Sequence, residues 1–236
     1  MNIKTVLFDL DGTLLPMDQE KFTKAYFKGL SKKLMPHGYD PEKLISAIWA
    51  GTASMIKNDG SISNEDAFWK TFETIFPEKG KTDEPIFEHF YRNEFDAVRD
   101  ACGSTENAQK LVSLLKEKGL TLILASNPIF PMIAQTKRMA WAGVNPEDFS
   151  YITSYENSSF CKPNPAYYEE IIRKNNLNPA DCLMIGNDAI EDTAALKTGM
   201  NVFLLTDCLL NKDGRDISGY THGTYEDLFE YLNHLL

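Results

Sequence analysis

Ile3-Lys4-Thr5-Val6-Leu7-Phe8-Asp9-Leu10-Asp11-Gly12-Thr13-Leu14 opens as a short apolar run and closes on two acids, a glycine and a hydroxyl residue. The run from Ile3 to Leu10 is too short for a helix and reads as a buried parallel strand. Leu120 to Ser126, Asp148 to Thr153, Cys182 to Gly186 and Asn201 to Thr206 repeat the pattern. Helical patterns lie between them: Asn107 to Lys118 stopped by Gly119, Pro131 to Trp141, Pro165 to Asn175 with proline in its first turn, and Ile190 to Thr198 stopped by Gly199. Tyr225 to Leu236 reads as a short closing helix. This alternation predicts an α/β fold, a three-layer parallel sheet whose ligands gather at the carboxyl ends of the strands.

One stretch breaks the alternation. Residues 16 to 96 carry helical patterns without a buried strand, and hold nearly half of the chain's aromatic residues, Trp49, Phe68, Trp69, Phe72 and Phe76 among them. That is enough to support a small helical core of its own. The expected organisation is a core domain at 1–15 and 100–236 and a helical cap at 16–99, with hinges near Leu15-Pro16-Met17 and near Arg99 to Ser104.

The 236 residues are 43% hydrophobic and 25% charged, ordinary values for a globular chain. A net charge of −10 repels phosphate backbones and anionic membranes, so neither nucleic acid nor a membrane is an expected partner. Cys102, Cys161, Cys182 and Cys208 are scattered and contain no C-x-x-C pair, which fits reduced thiols. The first residues run straight into the strand without a signal-peptide stretch, and no apolar run is long enough to span a bilayer, so a cytoplasmic protein is expected. G-x-G-x-x-G, Walker A, H-E-x-x-H and G-x-S-x-G motifs do not occur.

Asp9 and Asp11 stand two residues apart and so point the same way from an extended backbone. Two such carboxylates repel unless a charge compensates them, and a divalent cation would do so. Taken alone, Asp11-Gly12 is equally a turn with solvated acids. Three later features fall at strand ends. Ser126-Asn127 follows Leu122-Ile123-Leu124-Ala125, Lys162 precedes the Pro163-Asn164-Pro165 helix start, and Gly186-Asn187-Asp188 with Asp192 follows Leu183-Met184-Ile185. Each has a plain structural use, as a helix cap or a surface charge. Their shared location and order argue for one site.

In these four segments the chain resembles the haloacid dehalogenase-like hydrolases. Asp9-x-Asp11-Gly12-Thr13 is similar to the family's first motif, Ser126 to its second, Lys162 to its third, and Gly186-Asn187-Asp188 through Asp192 to its fourth. The resemblance implies a Rossmann-like core with an inserted α-helical cap, as in phosphoglycolate phosphatases and β-phosphoglucomutases. It also implies Asp9 as nucleophile on phosphorus, Asp11 as general acid and base, and Lys162 as the charge on the nucleophile. Thr13, Ser126 and Asn127 would bind the phosphoryl group, and Mg²⁺ would be held by Asp9, the Asp11 carbonyl and Asp188. The substrate would be a small phosphorylated metabolite.

One detail departs from the commonest pattern, and another bears on the reaction class. Asn187 separates Gly186 from Asp188, so Asp188 is the expected ligand with Asn187 or Asp192 in support. The dehalogenases lack the second acid of the first motif, whereas Asp11 is present, which favours phosphate chemistry. A phosphomutase and a non-catalytic binding module are the alternatives. In the cap, His37, His89 and the Asn58-Asp59-Gly60-Ser61 turn are further candidates for substrate contact, and Cys161 gains a cationic neighbour in Lys162. Oligomeric state leaves no mark in the sequence.

Overall fold

Strand β1 (Thr5–Phe8) runs through the middle of the molecule with all four residues buried. The computed structural model describes residues 2–235; Met1 and Leu236, at the outer ends of the expected core and closing helix, lie outside the described residues. Among the described residues the sheet also contains β2 (Thr121–Leu124), β3 (Tyr151–Ile152), β4 (Cys182–Gly186), β5 (Asn201–Leu205) and β6 (Thr221–Gly223). Their order is β3-β2-β1-β4-β5-β6 and every pairing is parallel.

Parallel neighbours require crossovers, and α-helices lie in those from β1 through β4. The α-helices are α1 (Gln19–Leu34), α2 (Pro41–Ile56), α3 (Asn64–Ile75), α4 (Glu84–Asn93), α5 (Asn107–Glu117), α6 (Met132–Trp141), α7 (Pro165–Asn175) and, after the last strand, α8 (Tyr225–Leu235). The two faces of β1 serve two apolar clusters, as the period of two demands. Val6 and Phe8 pack into the larger one, while Leu7 joins Tyr167, Tyr168 and Met184 in the other.

The strand order reverses between β1 and β4, the crevice at which an open α/β sheet binds ligands. Phe8 is level with Leu124 on β2 and with Ile185 on β4. The chain therefore leaves all three strands at one height, delivering Asp9, Ser126 and Asn187 to the same edge.

The five expected strands are present, the one at Cys182–Gly186 with the expected bounds and the other four shorter. The shortest is in the Asp148 to Thr153 run, where Pro146–Asp148 winds into a 3₁₀ turn and leaves two strand residues. The expected helix over Ile190 to Thr198 is a correction. Asp188 Oδ1 accepts the amides of Ile190 and Glu191, which makes a turn, and only Thr193–Thr198 is helical, as a 3₁₀ segment. β6 has no apolar residue to announce it and exists because β5 offers an edge.

All of α1 to α4 lies between β1 and α5, where the sequence shows helical patterns without strands. Side-chain caps start three of these helices: Asp18 accepts from Glu20 and Lys21, Asp40 from Lys43, and Ser63 from Asp66. Their aromatic interior continues into the sheet side rather than ending at a boundary. Tyr26 packs 5.5 Å from Phe130, and Phe95 packs 4.8 Å from Trp141. No helix among the described residues is long and apolar enough to cross a membrane.

Candidate active site

The loop after β1 is closed by its own backbone: the amides of Thr13 and Leu15 both donate to the Leu10 carbonyl. Gly12 adopts φ +86°, and a Cβ there would meet Asn187 Nδ2 at 2.2 Å, so glycine is required twice over. Asn187 clamps this loop to the one after β4. Its Oδ1 accepts from Thr13 Oγ1 at 3.0 Å and its Nδ2 donates to the Cys208 carbonyl at 2.7 Å.

Lys162 is fully buried beneath the loops, its ammonium 2.9 Å from Asp9 Oδ1 and 2.7 Å from Asp192 Oδ1. The second oxygen of Asp192 accepts the Asp188 amide at 2.9 Å. Asp192 is thus committed on both sides and positions Lys162 and Asp188. Burial works against the charge on Lys162, but Asp192 and Asp9 more than offset it and hold the ammonium well above its usual range. Burial likewise pushes Asp9 up, resisted by Lys162 and reinforced by the charge of Asp11. Asp192 is pushed up to about 6, by burial first, against the pull of Lys162.

Asp9, Asp11, Ser126, Asn127 and Asp188 line one cavity of about 180 Å³, together with Asn187, Glu191, Asp192 and Lys212. Ser126 is placed by its carbonyl, which accepts from Thr153 Oγ1 and Tyr167 Oη at 2.7 and 2.8 Å. Asn127 joins two loops, donating to Glu191 Oε2 at 3.1 Å and accepting the Lys162 amide at 3.3 Å. Thr13 is not part of this lining. Its hydroxyl donates to Asn187, so the side chain expected on the phosphoryl group holds the loop instead.

Several residues of the site were missed from sequence, Lys212 among them. Glu191 lines the cavity and is pushed up to about 7, chiefly by burial. Arg138, on α6, is fully buried and reaches Asp11 Oδ2 at 2.5 Å. It also donates to Gln135 Oε1 and lies 4.4 Å from the Phe130 ring. The signal for it was a charged residue on the face of α6 that carries Ala134 and Met139, since a buried arginine requires a partner. Asp11 Oδ1 is buried and has no hydrogen-bond partner among the described residues.

A second cavity, of about 250 Å³, adjoins the first and shares Asp11, Gln19, Ile129 and Phe130 with it. α1, α2 and α3 supply most of its wall. His37 and His89 are not in either lining. The Asn58-Asp59-Gly60-Ser61 turn packs on the segment before Lys162: Gly60 lies against Phe160, where a Cβ would come within 2.2 Å of the ring. Next to it Asn64, fully buried, donates to the carbonyls of Pro128 and Phe160. Cys161 accepts from Asn64 at 3.4 Å, and burial pushes its thiol up to about 12 despite the neighbouring lysine.

Residues 3–199 match the sequence profile of the haloacid dehalogenase-like hydrolases. A glyceraldehyde 3-phosphate phosphatase of Methanothermobacter thermautotrophicus is 27% identical over 231 residues, which cover 92% of this chain and 94% of that protein. Among solved structures, a HAD phosphatase from Thermococcus onnurineus superposes with TM-score 0.59 at 18% identity, over 98% of both chains. The putative HAD-hydrolase YfnB from Bacillus subtilis, bound to magnesium, gives 0.57 at 17% identity, over 99% of this chain and 100% of that one.

Proposed function

Because this chain belongs to the haloacid dehalogenase-like hydrolases and is a hydrolase, we propose that it is a phosphatase that cleaves a small phosphomonoester through an aspartyl-phosphate on Asp9. The observation that carries the reading is the pairing of Asp9 with the buried ammonium of Lys162, which lies behind a cavity that Asp9 lines with Asp11, Ser126 and Asp188. A carboxylate so placed has one oxygen fixed by a cation and its carbon backbone fixed by the sheet. The phosphatase named among the relatives supports the same chemistry.

In the first displacement an Asp9 oxygen attacks phosphorus and the bond from phosphorus to the leaving oxygen breaks. Asp11 gives that oxygen its proton. In the second, water attacks the phosphorus, passes a proton to Asp11, and the Asp9 carboxylate departs. Asp11 is placed to change partners: one oxygen is held by Arg138, while the other has no hydrogen-bond partner among the described residues and is left for the reacting oxygens. Lys162 and the Ser126 hydroxyl stabilise charge on the transferring group.

The donors fit Mg²⁺. Asp9, Asp11 and Asp188 offer hard oxygens in one cavity that Glu191 and Asp192 also line, and one Asp11 oxygen is buried there without a partner among the described residues. No three acidic, histidine or cysteine side chains among the described residues form a metal cluster by themselves, so the Asp11 main-chain carbonyl would complete a set with the Asp9 and Asp188 carboxylates. When bound, the ion would neutralise charge on the phosphoryl oxygens and the carboxylates. Residues 16–99 would act as a lid over the site, excluding water while the phosphoenzyme forms.

Phosphate release from a panel of phosphomonoesters, with Mg²⁺ and with EDTA, tests the reading. Turnover that needs the metal and is abolished in Asp9→Asn, with the circular dichroism spectrum retained, is the expected result. A folded protein that releases no phosphate from any ester overturns it.

A further inference from the structure

The larger cavity identifies what leaves. Its wall is made of rings and aliphatic chains, with Phe22, Tyr26, Phe68, Trp69 and Phe130 at its centre and Trp49, 52% exposed, among the lining residues. Asp11 is the only charged residue lining it among the described residues. Several polar groups of the wall are already paired, while Trp69 Nε1 is buried without a partner among the described residues. The Tyr26 and Tyr91 hydroxyls bond to one another at 2.8 Å, Tyr155 donates to Glu84 at 3.4 Å, and Thr52 donates to the Ile48 carbonyl at 2.9 Å. Arg138, a cation close behind the wall, is paired with Asp11 and screened by the Phe130 ring at 4.4 Å.

We infer that the alcohol released by this enzyme is uncharged and mostly hydrocarbon, an aryl-bearing or branched alkyl group. The inference rests on the phosphatase reading. A carboxylate or second phosphate on the leaving group would be desolvated beside Asp11 with no free cation to meet it. A polyol would bring several hydroxyls to a wall that is mostly ring and hydrocarbon, where Trp69 Nε1, Gln19 and Thr23 would meet only some of them. An apolar group instead covers the ring surfaces, including the exposed part of Trp49, and gains burial throughout. The four residues common to both cavities place the cleaved bond at their junction, with Asp11 at hand for the departing oxygen.

Benzyl phosphate, glucose 6-phosphate and phosphoglycolate are all esters of primary alcohols, so their intrinsic reactivities are similar and kcat/KM compares the leaving-group site. The expected result is a preference for benzyl phosphate over both others of about tenfold or more, a difference of about 1.4 kcal/mol. Equal or better turnover of phosphoglycolate or glucose 6-phosphate overturns the inference and leaves the phosphatase reading standing. If no ester is turned over, that reading fails, and binding decides the inference. Tryptophan fluorescence should then show 2-phenylethylphosphonate binding about tenfold tighter than 3-phosphonopropionate. Equal affinity, the reverse order or no binding overturns it.

Discussion

The Arg138 guanidinium and the Asp11 carboxylate, 127 positions apart in the chain, meet at 2.5 Å, and the arginine is fully buried where they do. Arg138 is steadied on its own helix by Ala134 and Gln135, but its charge is met only across the chain, by Asp11. β1 brings Asp11 to the edge of the sheet, α6 brings Arg138, and the ion pair sets how the Asp11 side chain faces the two cavities.

Arg138→Met keeps most of the side chain's volume and removes its charge. It is expected to lower kcat about 10–100-fold, within the usual contribution of a general acid–base group, and to change KM less. Stability should fall by about 3 kcal/mol, because Asp11 and Gln135 lose a buried partner. Arg138→Lys should recover part of kcat. Steady-state kinetics and urea denaturation check both; an unchanged kcat in Arg138→Met would show that the pair is structural only.

The acids of the site give a pH signature. Burial pushes Glu191 up to about 7 and Asp192 up to about 6, and raises Asp9. Unfolded carboxyls titrate near 4, so between about pH 4 and pH 7 the folded chain binds more protons and stability falls as pH rises. Surface acids such as Asp181, lowered by Lys4, act in the opposite sense but below about pH 4. In EDTA the protein should melt at higher temperature at about pH 5.5 than at about pH 7.5. Added Mg²⁺ should raise Tm more at the higher pH, since cation and proton compete for the same oxygens. A rise in Tm with pH in EDTA contradicts this.

Asn64 ties the first turn of α3 to the loops carrying Ser126 and Lys162, through its bonds to Pro128 and Phe160. Asn64→Ala strands those carbonyls and the Asn58 amide that Asn64 accepts, and should cost about 1–3 kcal/mol. The measurement is the urea midpoint at constant m-value. A midpoint within error of the parent would mean that water replaces the side chain fully.

Cys161 and Cys182 are buried, and burial pushes their thiols up to about 12 and about 11. Neither should react with a thiol reagent in the native protein at mildly alkaline pH, while all four cysteines react in urea. Peptide mapping after labelling reads this directly, and native labelling at Cys161 would show that the segment before Lys162 opens.

The strands before Asp9 and Ser126 were legible because each combines an apolar run with a chemical residue at its end, and Lys162 because it stands just before a proline-started helix. The Asp188 segment was legible as a site and misread as a helix, since a side chain accepting two amides leaves no periodic trace. Thr13 looked like a phosphoryl ligand because a hydroxyl beside two acids carries no sign of its partner, and that partner, Asn187, lies 174 positions away.

Hydrophobic period and residue order alone determined the parallel α/β core, the helical insert and the acids Asp9, Asp11 and Asp188 of the candidate cavity, because strand burial and strand-end chemistry are local properties. Only the tertiary structure decided that Arg138 holds Asp11, that Asp192 serves Lys162, and that the chamber beside Asp11 is walled by rings. Those are pairings across long loops, fixed by where the packed helices stop, and a linear sequence does not encode the distance between two ends until the core between them has formed.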